Sequence, residues 1–356
     1  MSIVCLSTRL VKKEMTNISS VKFCLRYFHQ ENKKTYLNRQ YRLSQLRFKS
    51  SREYVLSRYM DFVQNYEAVL EKRFPAAIRV YRVFMVGIKE FYKDLKMFFS
   101  VVHKLNLTGK GLDSLTRKEL EIYHQMPKDM IKVSPVLLLS ALPFANYVIF
   151  PLAYMLPRQL LTSHFWSLQQ RAEFALIEQK NRLKHFKPVF RSLQWPLEKL
   201  ESHSCYVCWE KIIRFLGSGL HPSTAEVIQC TSLFTAEPYG LNYMYSSHLK
   251  ELLKLHNMHT GWRRRKRLIE RANLIHLMDL AIVKEGGVTE LTHEEMRWAC
   301  LFRGLNPANM KNEDMMTWLN DWITVSKCLN QESWSLLLHC PVLLAYNHPS
   351  NWVLFH

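Results

Sequence analysis

Five basic side chains stand in a row: Arg263, Arg264, Arg265, Lys266 and Arg267. Such a run can hold phosphate groups through charge-assisted hydrogen bonds, so nucleic-acid and anionic-lipid phosphates both suit it chemically. A solvated helix start is the plainer account, although five positive charges at a helix N-terminus oppose the dipole there. A nuclear-localisation signal has the same pattern. Cys205 and Cys208 form a C-x-x-C pair on an expected helix. Zinc needs two further ligands, and His203, His221 and Cys230 offer them only at non-standard spacing, so no metal is expected. The fifteen histidines include no H-E-x-x-H pair, and no glycine-rich phosphate loop or nucleophile elbow is present. With no catalytic constellation, a non-enzymatic protein without cofactors is expected.

The element that would position the rest of the chain is Val133–Pro157, VSPVLLLSALPFANYVIFPLAYMLP, an uncharged stretch between Lys132 and Arg158. As one helix it would reach about 37 Å, enough for a hydrocarbon core of about 30 Å. Its prolines, at 135, 143, 151 and 157, suit a membrane helix better than a water-exposed one. A single transmembrane helix over 133–157 is therefore expected, with a buried core helix as the alternative. Leu160, Leu161, Phe165 and Trp166 follow it as interfacial anchors.

The 356 residues carry a net charge of +19 and are 48% hydrophobic, enough to bury a core. Residues 1–52 hold 12 Lys/Arg against Glu14 and Glu31, about half of that excess. This basic, acid-poor segment, amphipathic around Val21, Leu25 and Phe28, reads as a mitochondrial presequence or a basic tail. The eight cysteines are too scattered for a disulfide scaffold and are expected to be free thiols.

Residues 53–132 form a pre-membrane helical region. Phe84, Ile88, Phe91, Leu95, Phe98 and Val102 make one apolar stripe flanked by Lys89, Lys93 and Lys96, a face for neighbouring helices or for anionic lipid. Thr116/Glu119, Ser167/Gln170 and Thr292/Glu295 are capping-box pairs that start helices. Helices are expected over about 197–216 and 243–256, and from the basic run to a stop at Gly286-Gly287. Strand signals are almost absent, so the fold class is all-α, with residues 158–356 a helical-bundle domain. Within it Leu291, Met296, Cys300, Leu305, Leu319 and Trp322 are core positions, Gly304 a cap, and Arg297 and Arg303 exposed contacts. This segment is patterned like a SAP-type helix–turn–helix, but Asp314 and Asp321 replace the basic surface that DNA docking needs.

Four stretches carry a family resemblance: LTRKEL (115–120), ALPFANYVIFPLAYMLPRQLLTSHFW (141–166), HPSTAEVIQCTSLF (221–234) and EGGVTELTHEEMRWACLFRGL (285–305). With the closing SLLLHCPVLL, they resemble the LETM family, the leucine-zipper/EF-hand-containing transmembrane proteins of the mitochondrial inner membrane. The resemblance is greatest to its short members that lack EF-hands, and no D-x-D-x-D-G calcium loop occurs. It implies a single-pass inner-membrane protein whose C-terminal domain, like the family's 14-3-3-like ribosome-binding domain, faces the matrix. The implied partners are the mitochondrial ribosome and anionic inner-membrane lipid such as cardiolipin, with self-association or other inner-membrane proteins as further options. The implied role is support of mitochondrial structure and respiratory-chain biogenesis. The membrane-span motif is carried by Pro143, Phe144, Asn146, Pro151 and Pro157. Exchanger-type members place an acid where this chain has Asn146. Asparagine cannot carry a proton, so cation/proton exchange or ion regulation is the alternative function.

Overall fold

The computed structural model describes residues 75–109, 111–140 and 146–354. The expected presequence lies outside them, as do Pro143 and Phe144 of the membrane-span motif. The elements among the described residues are all helical. In order they are α1 (Pro75–Thr108), α2 (Arg117–Ser140), α3 (Asn146–Met155), α4 (Pro157–Leu160), α5 (Leu168–Leu183) and α6 (Phe186–Gln194). After these come α7 (Tyr206–Gly217), α8 (Thr224–Gln229), α9 (Ser246–Leu255), α10 (Arg264–Lys284) and α11 (His293–Arg303). The series closes with α12 (Asn312–Lys327), α13 (Trp334–Ala345) and α14 (Pro349–Trp352). Single 3-10 turns punctuate them, as at Leu112–Ser114 and Leu197–Leu200. Two compact units divide the described residues: the first takes 75–85 with 134–140 and 146–155, and the second takes the described residues of 86–133 with 156–354.

Among the described residues, which omit 141–145, the expected membrane helix is represented by the end of α2 and by α3. Residues 133–140 continue α2, whose earlier turns are charged, and α3 is only ten residues long. At a rise of 1.5 Å per residue, α3 covers about 15 Å, half a hydrocarbon core. No helix of the described residues is long and apolar enough to cross a membrane. Proline is one physical reason. Pro157 opens α4, and Leu156 before it sits at φ −121°, ψ 52°, outside the helical region that a following proline disfavours.

In the larger unit α13 is the hub. All twelve of its residues are buried, as expected for a helix that is apolar nearly all round. Leu268, Ala272, Ile275 and Ile282 of α10 join it in the core, together with Trp209, Phe234, Leu319 and Trp322. The expected core positions Leu291, Met296, Cys300 and Leu305 are buried there too. The part of the α1 stripe from Phe91 to Val102 packs on a neighbour helix. Phe98 clusters with Ile122 and Met126 of α2, flanked by Phe91, Leu95 and Val102. Gly87 lets α1 approach the backbone at residue 164, since a Cβ there would stand 2.6 Å from the His164 carbonyl oxygen.

Capping chemistry sets several of the helix starts. Ser167/Gln170, Ser223/Glu226 and Thr292/Glu295 form reciprocal capping boxes for α5, α8 and α11. Thr116 and Glu119 do the same at α2, where the Thr116 N–H donates to Glu119 Oε2 at 2.9 Å. The helix expected over 197–216 is shorter, because α7 begins only at Tyr206. His203 Nδ1 accepts the Cys205 N–H at 3.2 Å, so the chain turns here instead of continuing a helical ladder.

Candidate functional site

The basic run folds into two kinds of side chain. α9 closes on a left-handed Asn257 (φ 53°), and the Met258 N–H returns to the Leu253 carbonyl at 2.8 Å. This is the closure that ends many helices, with an amide-bearing residue at the left-handed position. The loop that follows has carbonyls in need of donors, and the guanidinium groups supply them. Arg267 donates to the carbonyls of His259 (2.6 Å), Trp262 (3.0 Å) and Gly261 (3.2 Å). Arg264 donates to Thr260 O at 2.7 Å and Ser246 Oγ at 2.9 Å. Arg265 reaches back to Leu241 O at 2.9 Å and Met244 O at 3.2 Å. Burial, then the neighbouring charge of Arg264, lowers the Arg267 pKa from its usual value.

Arg263 and Lys266 are left free of such duties. Arg263 is exposed, takes φ 58°, and stands at the N-cap of α10 without a side-chain cap. Lys266 is exposed, and its nearest acid is Glu270 at 4.0 Å. Beside them Trp262 is 91% exposed. Ser246, Leu249, Gly261 and residues 262–266 line an open pocket of about 410 Å³. An exposed indole next to two available cations can hold a phosphate while offering its ring to a base or an acyl interface. Trp262 carries no motif of its own; its signal in the sequence is a large aromatic directly ahead of a charge run.

Other expected site residues fall elsewhere. Arg303 is not an exposed contact: it is 1% exposed. Its Nε and Nη2 both donate to Asp279 Oδ1, its Nη1 donates to Ala299 O at 2.8 Å, and Trp322 Nε1 donates to Asp279 Oδ2 at 3.1 Å. A guanidinium fork facing a carboxylate in the core accounts for that burial. Arg297 is half-buried on α11, on a different element from the 263–267 run. Asn146 and Pro151 lie in α3, and Pro157 opens α4. On α1, Asp94 and Glu90 are both paired: His164 Nε2 lies 3.0 Å from Asp94 Oδ2, and Arg171 Nη2 donates to Glu90 at 3.0 Å.

Cys205 lies just before α7, with its Sγ 3.3 Å from Ser232 Oγ, and Cys208 Sγ donates to Glu226 O at 3.6 Å. Burial and the adjacent Cys208 push the Cys230 thiol pKa up, so it stays protonated. Among the described residues no group of three or more His, Cys, Asp or Glu side chains is arranged to hold a metal ion.

A family model described as "LETM1-like, RBD" matches residues 115–343, a range that runs from the start of α2 into α13. The chain belongs to this LETM1-like family. It is similar to LETM1 domain-containing protein 1 of Xenopus tropicalis, 32% identical over 288 residues, covering 80% of this chain and 82% of the relative. The protein of the same name from Homo sapiens is 28% identical over 303 residues, 84% of each chain. That from Bos taurus is 29% identical over the same length and coverage. The LETM1-like region contains the exposed Trp262–Lys266 face and the buried Arg303–Asp279 pair alike.

Proposed function

We propose that this LETM1-like protein is a mitochondrial inner-membrane protein that binds the mitochondrial ribosome through its helical domain. The observation that carries the reading is the exposed trio Trp262, Arg263 and Lys266, presented at the start of α10 inside the matched domain. Ribosomal RNA supplies phosphates for the two cations and bases for the indole. Arg264, Arg265 and Arg267 serve mainly to build the loop that presents this trio. Arg297 is a second, weaker contact. Anionic lipid such as cardiolipin is the competing ligand for the same charge.

In this reading the apolar stretch 133–157 attaches the chain to the inner membrane, with the motif Pro143, Phe144, Asn146, Pro151 and Pro157 setting how it packs. Residues 1–52 direct import, and the C-terminal domain faces the matrix. The protein acts by binding rather than by catalysis, and its output is respiratory-chain biogenesis and mitochondrial organisation. Protease protection in mitochondria and mitoplasts tests the placement: the domain should resist protease until the inner membrane is opened. Ribosome co-sedimentation of the full chain tests the partner. Trp262→Ala combined with Arg263→Glu and Lys266→Glu should abolish it, and undiminished binding would remove this face from the interface. Flotation with cardiolipin-containing vesicles separates lipid from ribosome as the ligand.

A further inference from the structure

Three large aromatic side chains stand out of the surface beside the basic run: Trp262, Tyr243 (55% exposed) and Tyr245 (63% exposed). Single exposed apolar side chains are ordinary, but three aromatics gathered beside cations are not a scatter. The arginines bring them together. Arg265 donates to Leu241 O and Met244 O, which flank Tyr243 in the chain, and Arg264 donates to Ser246 Oγ, directly after Tyr245. Ser246 and Trp262 then line one open pocket of about 410 Å³ together with Arg263 and Lys266. Among the described residues the one carboxylate paired with the basic run is Glu270, 4.0 Å from Lys266.

Each ring rides on a fixed turn. The N–H groups of Tyr243 and Met244 both donate to Gly240 O at 3.0 Å. A Cβ at Gly240 would stand 3.1 Å from Tyr243 Cδ2, so the glycine makes room for one edge of that ring. Tyr245 is the N-cap of α9, and its carbonyl accepts the Leu249 N–H at 3.0 Å. Trp262 closes a loop whose carbonyls at His259, Gly261 and Trp262 itself are held by Arg267. Backbone that is fixed before binding lowers the ordering cost a ligand must offset.

Aromatic rings among cations suit unpaired nucleotides. In an A-form duplex the bases are stacked on one another, so an indole finds no free base face. In a single strand every base offers a face, and the phosphates track the cations. A lipid interface fits less well. Between residues 240 and 268 the large exposed apolar side chains are Tyr243, Tyr245 and Trp262, with no aliphatic one among them, whereas a segment lying on lipid presents a broad apolar face. We propose that this face binds single-stranded RNA. One base stacks on Trp262 at the pocket, Arg263 and Lys266 hold the adjoining phosphates, and Tyr243 and Tyr245 take neighbouring nucleotides. The inference rests on the ribosome reading and narrows its ligand to an unpaired stretch of ribosomal RNA.

The test is fluorescence anisotropy of the full chain with a labelled RNA of mixed sequence, about ten nucleotides long, alone and annealed to its complement at the same salt concentration. The duplex carries the denser charge, so a purely electrostatic face would prefer it. The single strand should instead bind about tenfold tighter. Trp262→Ala should weaken single-strand binding about tenfold and leave duplex binding as it is, and Trp262→Phe should recover most of the loss. Tyr243→Ala/Tyr245→Ala should weaken it about fivefold or more. All three side chains are exposed, so these variants should keep the wild-type Tm. Equal affinity for the two RNAs, or wild-type single-strand binding by Trp262→Ala, overturns the inference. Flotation with cardiolipin-containing vesicles is the second arm: capture lost in Trp262→Ala, with no single-strand preference, assigns the rings to the membrane and overturns it too. Ribosome co-sedimentation of the same variant separates the two claims. Ribosome binding lost in Trp262→Ala without a single-strand preference removes this inference and leaves the ribosome reading. A Trp262-dependent single-strand preference with ribosome binding unchanged removes the ribosome reading and leaves RNA stacking.

Discussion

Arg303 and Asp279 form an ion pair inside the helical domain, with Arg303 Nε donating to Asp279 Oδ1 at 3.0 Å. Arg303 was expected at the surface, because short-range patterning gives a charged residue near a helix end no partner. Its partner, Asp279, is 24 residues away and buried with it. Removing one member of a buried pair leaves an isolated charge, so Arg303→Met should cost about 3–5 kcal/mol. The double replacement Arg303→Met/Asp279→Leu should recover much of that loss. Urea unfolding of the three variants measures both quantities. The buried histidines make a second prediction. His339 Nε2 sits 2.9 Å from His248 Nε2, and His256 Nε2 sits 2.9 Å from Leu338 O. Burial lowers His339 to about 4 and takes His248 and His256 well below their usual pKa. These groups are neutral in the folded chain and take up protons more readily when unfolded. Their contribution is complete above about pH 6.5 and is lost as pH falls from there toward 4 and below. His339 alone accounts for about 3 kcal/mol across that window. Urea midpoints should therefore fall steeply between pH 6.5 and 4.5, and a flat profile would show that the ring pair tolerates a proton.

Helix boundaries were legible wherever a local signal sets them. The capping boxes at Ser167/Gln170 and Thr292/Glu295 start α5 and α11 as their spacing demands. Gly304 ends α11 at φ 100°, and its Cβ position lies 3.0 Å from Pro341 Cβ. Gly304→Ala combines a left-handed alanine with that contact and should destabilise by about 1–2 kcal/mol or more. A thermal shift of the folded chain reads this, and an unchanged Tm would mean that the cap relaxes. Boundaries that depend on distant partners were not legible. The start of α10 is held by carbonyls of residues 241, 244 and 259–262, which no window around 263–267 reveals. In the 133–157 stretch, hydropathy sums over residues without asking where a proline opens a new helix, as Pro157 opens α4 after the non-helical Leu156.

At the scale of the molecule, fold class and family membership were carried by helical periodicity and by motif blocks spread over residues 115–343. The site was legible only as charge. Which cations are free depends on the backbone carbonyls that occupy Arg264, Arg265 and Arg267. The net charge of +19 gives the whole chain a long-range attraction to any polyanion. Binding alone therefore does not identify the face, whereas its salt dependence can. The most direct measurement is ribosome co-sedimentation of the full chain across a series of salt concentrations, for the wild type and for Arg263→Gln/Lys266→Gln. Loss of two phosphate contacts should weaken binding about tenfold or more and reduce the log–log salt slope by about 1.5–2. The same slope and affinity in both proteins would contradict the assignment of the Trp262–Lys266 face as the ribosome contact.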